Sequence, residues 1–393
     1  MIYAGIDIAS EKHDCCILSD TQAVLKQFSF SNDADGFELL IRSLSAFAPV
    51  EEIKIGLEST GNYGNNLSDF LRRKGYETST FNPLLIKKSI QATTLRKTKT
   101  DKADAKFLAL YLMQKQTQPD LPIDYHISEL KSLSRTRFSF VQNRSALKTK
   151  VKGLLIQLFP EFRKAFSDVF GASAVAVLEK YPSAAAIAGC EVGTLAKLIQ
   201  DSSRGRLAEE KAEALRALAV NSIGVRSEAL EIELCCYLEQ IRLLTKHIRL
   251  CEEKIKALMK EINSPITTVP GIGFVLGAMI LAEIGDINRF GTPAKLLAFA
   301  GLDPSVNESG KSVNSTGSMV KRGSKYLRWA FGQAARCVSV NNPVFQAYLD
   351  SKIKQGKHYS IACSHVAKKL CRVLFAILRK NTPYSLDYAL KSA

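Results

Sequence analysis

The sequence predicts a mixed α/β domain at the N-terminal end, a helical middle, and a mainly helical C-terminal domain. Three patterns carry this expectation. Short apolar runs alternate with amphipathic runs over the first 125 residues, apolar residues recur at alternating four- and three-residue steps between 230 and 262, and a Pro-Gly-Ile-Gly turn at 270–273 opens an apolar helical run. At 393 residues the chain is long enough for two or three domains, each with its own core.

In the first region Ile2–Ile8, Asp14–Ser19 and Ala23–Phe28 read as consecutive short strands. Asp33 and Asp35 offer a helix start ahead of Phe37, Leu39, Leu40 and Leu44. Ile53–Leu57 reads as a fourth strand, Tyr63–Lys74 as a helix, Tyr76–Phe81 as a fifth strand, with helices around Pro83–Gln91 and Thr100–Gln114. Three strands, then helix, strand, helix, strand and helices, is the order of a ribonuclease-H-like α/β fold, in which the first and fourth strands lie side by side. Asp7 ends the first of these strands and Glu58 the fourth, while Asp101 and Asp104 sit three apart at a helix start. Carboxylates so placed can converge on two hard divalent cations, the arrangement that activates water or polarises a phosphate in phosphodiester cleavage.

From His126 the pattern turns helical. The run from Glu129 carries Lys131, Arg135, Arg137, Arg144, Lys148, Lys150 and Lys152 against Glu129 alone, a face that contacts nucleic acid or is simply solvated. Residues 165–225 read as small helices with loops and no chemistry. Then Leu230, Leu234, Tyr237, Ile241, Leu244, Ile248, Cys251, Ile255, Leu258 and Ile262 form an a/d heptad, expected as a coiled coil or a long helical hairpin. It serves dimerisation in one reading and packing against the chain's own helices in the other. The domains are therefore expected at 1–125, 126–262 and 263–393.

In the last region ITTVPGIGFVLGAMILAEIG has the form of a helix-hairpin-helix, with Gly271 and Gly273 letting backbone N–H groups approach a phosphate. Tight helix–helix turns use glycine in the same way. A polar segment follows, with Ser305, Ser309, Ser312, Ser315, Ser318 and Ser324 among Lys311, Lys321, Arg322, Lys325 and Arg328. Cations of this density can hold a scissile phosphate and stabilise developing charge. Composition does not distinguish one serine from another, and His358 and His365 have no acidic neighbour in sequence with which to form a serine triad.

The formal net charge is +16. Its distribution is uneven, because residues 263–393 hold 17 basic against 6 acidic side chains, whereas residues 1–125 hold 15 against 16. Such an excess points to a polyanion partner. The nine cysteines are odd in number and form no C-x-x-C pair, as expected of reduced thiols. The longest apolar run, Phe274–Ile284, is interrupted by Gly277 and Glu283 and is too short to span a bilayer. MIYAGIDIAS lacks the charged start and long apolar core of a signal peptide, so no membrane association and a cytoplasmic location are expected.

GIDIASEKHD, GLESTGNYG, TDKADAKFLA, VPGIGFVLGAMILAEIGDINRFGTPAKLLAFAGLDP, ESGK and SKYLRWA, in this order, resemble the DEDD transposases of bacterial insertion sequences, the Piv-invertase-like, bridge-RNA-guided recombinases. The resemblance covers about 1–150 and 263–375 and has no clear counterpart for 153–225. It implies a RuvC-like N-terminal domain with Asp7, Glu58, Asp101 and Asp104 as ligands of two Mg2+ ions. It also implies a C-terminal transposase domain whose Glu308-Ser309-Gly310 motif provides the serine that attacks DNA. The implied partners are DNA, a structured guide RNA, and further copies of the chain in a dimer or tetramer, with one subunit's carboxylates and another's serine forming a composite site. Lys311, Lys321, Arg322 and Lys325 are candidate phosphate clamps, and Arg135, Arg144 and Lys148 candidate nucleic-acid contacts. Two rival readings stand beside this one. One is a RuvC-like junction resolvase or nuclease that uses metal-activated water; the other is a non-catalytic nucleic-acid-binding protein with the carboxylates neutralised by Lys97, Lys99 and Lys102.

Overall fold

The computed structural model describes residues 1–58, 63–81, 101–114, 125–202, 208–303 and 319–387, with 83, 86, 89 and two short strands at 308–309 and 312–313. The helix expected around Pro83–Gln91, and with it Lys97 and Lys99, lies largely outside the described residues. Two compact units form, residues 1–122 and residues 123–393.

The first unit is built on a five-stranded sheet: β1 (Ile2–Asp7), β2 (Lys12–Leu18), β3 (Val24–Ser31), β4 (Ile53–Glu58) and β5 (Glu77–Phe81). The spatial order is β3-β2-β1-β4-β5, with β1–β2 and β2–β3 antiparallel and β1–β4 and β4–β5 parallel. The first and fourth strands are therefore neighbours, as the ribonuclease-H-like order requires. Period-two alternation assigns the two faces. Ala4, Ile6, Cys15, Ile17, Ile53, Ile55 and Leu57 form one core with α1 (Ala34–Ser45) and α2 (Asn65–Arg73). Asp33 caps α1 by accepting from the Gly36 N–H at 2.8 Å.

The opposite face is covered by α3 (Asp101–Gln114). Here Gly5 and Gly56 face the helix between Leu18, Phe81 and Tyr3, and the helix comes close. A Cβ on Gly5 would run into the backbone of Ala105 and Ala109, and one on Gly56 would lie 2.9 Å from the Phe81 ring and 3.4 Å from Leu112 Cβ. The Gln27 side-chain amide donates to the Lys102 carbonyl at 2.6 Å and fixes the first turn of α3 on β3.

The second unit hangs on two long helices, α4 (Tyr125–Leu158) and α10 (Glu228–Ile262), each about 50 Å long at 1.5 Å per residue. They pack on each other, burying Leu234, Leu238, Ile241, Ile248, Cys251, Ile255 and Met259. The heptad stripe is thus covered by a helix of the same chain. Between the long helices, α5 (Phe162–Ala165), α6 (Ala172–Lys180), α7 (Ala184–Ala188), α8 (Val192–Ser202) and α9 (Ala208–Val220) enclose a core of Phe159, Phe162, Leu178, Ile187, Leu195 and Leu215. The small helices expected over 165–225 are present, and they build a packed substructure. The C-terminal helices α11 (Phe274–Ile284), α12 (Pro293–Phe299), α13 (Lys325–Asn341), α14 (Pro343–Lys354) and α15 (Tyr359–Lys380) form another core that also takes in Leu130, Ile255 and Met259. Because the long helices enter both cores, the middle and C-terminal regions pack as one unit, not as two separate domains. All nine cysteines are free thiols. No described helix is long and apolar enough to cross a membrane.

Two glycines give opposite expectations. Gly5→Ala drives a methyl into the backbone of α3 and lowers stability by roughly 3 kcal/mol or more. Gly153→Ala, on an exposed turn of α4 with nothing within 4 Å, raises it by about 0.5–1 kcal/mol. Chemical denaturation of the full chain followed by circular dichroism measures both.

Candidate nucleic-acid-processing sites

The carboxylates of the first unit lie on the α3 side of the sheet. Asp7 lies two residues beyond Gly5, and Glu58 two beyond Gly56, so both take the face that α3 covers. Each stands one residue past the registered pair Ile6–Leu57 on neighbouring parallel strands. Asp104 immediately precedes Ala105, which sits over Gly5, and Asp101 is one turn before Ala105 on the same helix. A fifth carboxylate joins this face: Asp14, directly opposite Asp7 in the β1–β2 pairing and buried, accepts from the Ser29 hydroxyl at 2.6 Å. Motif reading passed over Asp14, although tracing the hairpin register from its strand would have placed it.

Among the described residues no three Asp, Glu, His or Cys side chains converge closely enough to hold one ion, and the side chain of Asp101 is not described. The donor chemistry does fit a hard divalent cation, since every candidate on this face is a carboxylate.

In the second unit Ser309 lies in β6 (Glu308–Ser309), which pairs antiparallel with β7 (Ser312–Val313) so that Ser309 faces Ser312. The side chains here, and all of Lys311, are outside the described residues. The residues on either side of the segment, up to Asp303 and from Met319, are described. Val320 N–H donates to the Asp303 carbonyl at 3.1 Å, and Ser324 N–H to the Phe299 carbonyl at 3.0 Å. Arg328 Nη1 donates to the carbonyls of Lys321 at 3.1 Å and Ala300 at 3.4 Å, so one guanidinium ties the exit of the segment to its entrance. Gly301 and Gly323, at φ +66° and +110°, let the two backbones touch. Lys321 holds φ +53°, a left-handed conformation that costs about 1 kcal/mol in a residue with a Cβ. Lys321, Arg322 and Lys325 are exposed beside it, and Lys325 Nζ stands 5.1 Å from the Tyr326 ring centroid.

Beneath this frame lies a buried carboxylate. Glu283 of α11, with a side chain 2% exposed, accepts from Arg135 Nε at 2.6 Å and Nη2 at 3.0 Å, and from the Ser324 hydroxyl at 2.7 Å. Ser324 also caps α13, accepting from Leu327 N–H. Burial pushes the Glu283 carboxyl up, but hydrogen bonds from Arg135 and Ser324 and the charges of Arg135 and Lys131 outweigh it and hold the group below the ordinary glutamate range. The Arg135 guanidinium also lies 4.6 Å from the Tyr326 ring centroid.

The basic face of α4 therefore differs from its sequence reading. Arg135 is bound bidentately by Glu283, Arg137 bonds Glu252 at 2.7 Å, and Arg144 Nη1 donates to the Thr245 hydroxyl at 3.3 Å. Lys148 and Lys152 lie over the Phe170 ring and Lys150 over Tyr237. The carboxylates that balance this face come from α10 and α11, more than a hundred residues away, so a count within the segment could not include them. The glycine turn also divides. Gly271, at φ +95°, is required for packing, since a Cβ there would meet the α13 backbone at Cys337 and Val338. Gly273 is open, and it caps α11 without a side-chain bond. The arm before the turn is a short 3-10 segment, Pro265–Thr268, after α10.

Comparison with known proteins gives a consistent picture. Residues 4–160 match a family model described as transposase, and residues 263–350 match one described as transposase of the IS116/IS110/IS902 family. The chain is 25% identical over 391 residues to a pilin gene-inverting protein of Moraxella lacunata, covering 97% of both chains. It is 28% identical over 242 residues to an uncharacterized protein of insertion element IS110 from Streptomyces coelicolor, covering 60% of this chain and 59% of the relative. A mini-circle putative transposase for IS117 from the same organism is 26% identical over 325 residues, covering 79% of this chain and 78% of the relative.

Arg135→Ala leaves Glu283 buried without its cation and lowers stability by about 3 kcal/mol, the low end for a broken buried pair because Arg135 is 40% exposed. The Glu283 carboxyl is depressed in the folded state, so its contribution is present above the ordinary glutamate value of about 4.3 and is lost as pH falls through the lower folded value. Thermal unfolding from pH 7 to pH 2 checks both statements, the variant losing part of the acid sensitivity of the parent.

Proposed function

This chain belongs to the IS116/IS110/IS902 family of transposases, and from that premise we propose that it recombines DNA by cutting and rejoining strands through a phosphoserine intermediate. The observation that carries the proposal is the pairing of two features in family order. One is a row of carboxylates at the ends of neighbouring parallel strands. The other is a serine hairpin whose base is pinned by Arg328 and flanked by exposed cations.

In the proposed reaction Ser309 Oγ attacks phosphorus, the Oγ–P bond forms, and the P–O bond to one DNA strand breaks, that strand leaving with the proton lost by the serine. The ester keeps the phosphoryl group activated, so attack by a second strand's hydroxyl reverses the step and releases the serine. Lys321, Arg322 and Lys325, with Lys311, would hold the phosphate and offset the negative charge that develops on it. Asp7, Glu58, Asp101 and Asp104 would hold two Mg2+ ions, which supply Lewis-acid stabilisation of that charge. A structured guide RNA and assembly into a dimer or tetramer complete the proposed system. Relatives named for transposition and for inverting a pilin gene differ in outcome, and cutting followed by rejoining serves both.

Denaturing electrophoresis of protein incubated with DNA and magnesium tests the mechanism. A covalent adduct is expected from the parent and from Ser312→Ala, and none from Ser309→Ala or Asp7→Asn. An adduct that survives Ser309→Ala would sink the serine assignment. Hydrolysed ends without any adduct would point instead to metal-activated water, as in a junction resolvase.

A further inference from the structure

Residues 321–380 contain thirteen lysines and arginines against a single acidic residue, Asp350. The excess gathers where α14 and α15 pack on each other. Lys352 and Lys369 approach the Tyr348 ring from these two helices, their Nζ atoms 5.1 and 4.8 Å from its centroid. Lys369 is only 5% exposed, and that ring, rather than a carboxylate, is its partner. Burial, followed by the charge of Arg372, pushes the Lys369 ammonium below the ordinary lysine range. Burial and the charges of Lys357, Lys368 and Lys352 do the same to the His365 imidazole.

On α4 two of the seven cations, Arg135 and Arg137, are ion-paired with Glu283 and Glu252 from other helices. On α14 and α15 none of the ion pairs among the described residues involves these lysines or Arg372. Holding like charges together without counter-ions opposes folding, and a polyanion is the partner that relieves it. His365 to Arg372 spans about 10 Å along α15, enough to meet several phosphates of a duplex. Tyr348 lies beneath its two lysines and is not free to stack on an unpaired base, which favours backbone contact over single-strand binding.

We propose that the α14–α15 face, through Lys352, Lys357, Lys368 and Arg372, binds the phosphate backbone of duplex DNA at a place distinct from the Ser309 hairpin. The choice of DNA rests on the recombinase reading above. On this view the face contributes affinity and takes no part in the chemistry.

Binding of the full chain to a duplex of arbitrary sequence, measured as a function of salt, tests the proposal. Replacing Lys352, Lys357, Lys368 and Arg372 together by glutamine is expected to flatten the log–log salt dependence by about 3–4, near 0.9 for each phosphate that is no longer neutralised. Affinity at moderate salt falls at least tenfold, while adduct formation at saturating DNA stays within about twofold. A control with Lys246, Lys254, Lys256 and Lys260 of α10 changed to glutamine is expected to move the slope by less than one. Equal losses in both variants, or an unchanged slope in the first, overturn the proposal. A loss confined to double-stranded RNA overturns the assignment to DNA. If the parent forms no adduct but the first variant still loses its salt slope, the recombinase reading fails and the surface stands. If the parent forms an adduct and the slope is unchanged, the surface fails and the recombinase reading stands.

Discussion

Taking a carboxylate out of water costs several kcal/mol unless charge and hydrogen bonds surround it, and Glu283 is the place where the second unit meets that cost. Two elements far apart in sequence supply what it needs: α4, with Arg135 and the charge of Lys131, and the start of α13, with Ser324. The geometry is demanding, because a bidentate guanidinium and a hydroxyl must reach two oxygens together. Once it is met, α4 is fixed against the C-terminal core, and Phe138 can pack edge-on to Tyr326 and Trp329. The serine hairpin inherits its frame from the same point. Ser324 is both the hydroxyl that bonds Glu283 and the residue whose N–H meets Phe299, so the exit of the hairpin segment ends on the buried charge.

In the first unit, the absence of two side chains plays the organising part. Gly5 and Gly56 remove the bulk that would hold α3 off the sheet, and the helix settles with Ala105 and Ala109 over β1 and Leu112 over β4. Because strands alternate faces, the residues two steps further on, Asp7 and Glu58, must share that side. Asp14 joins them through antiparallel pairing. Negative charge on neighbouring strands is unfavourable by itself. The divalent cations of the proposed reaction would offset that repulsion.

How legible this was in the sequence follows from the range of each interaction. The five strands and their helices were readable because period-two alternation and the Asp33 cap act within a few residues. The adjacency of Asp7 and Glu58 followed from strand order alone. The partners of the α4 cations were not readable, since Glu252 and Glu283 lie on α10 and α11 and only folding brings them near. The heptad between 230 and 262 was plain, but heptad spacing specifies a helix face and not which helix covers it; here α4 covers it. Gly271 illustrates the same limit. A turn glycine and a packing glycine look alike in sequence, and the α13 backbone beside it is what distinguishes them. Among the loop serines composition was silent, and Ser309 was singled out by resemblance alone.

The frame around Ser309 bears on why a serine, rather than water, would suit strand exchange. A water that attacks phosphorus becomes part of the product phosphate and leaves with the cut end. A side-chain nucleophile must hold the cut end in register until another strand arrives, so its main chain has to be fixed throughout. That is the condition met at the base of the hairpin. Two backbone hydrogen bonds close it, Arg328 grips carbonyls on both of its sides, and Lys321 is kept in a left-handed conformation that an unrestrained lysine would leave. In the proposed reaction, flanks tied to each other in this way would suit a nucleophile that retains the cut strand.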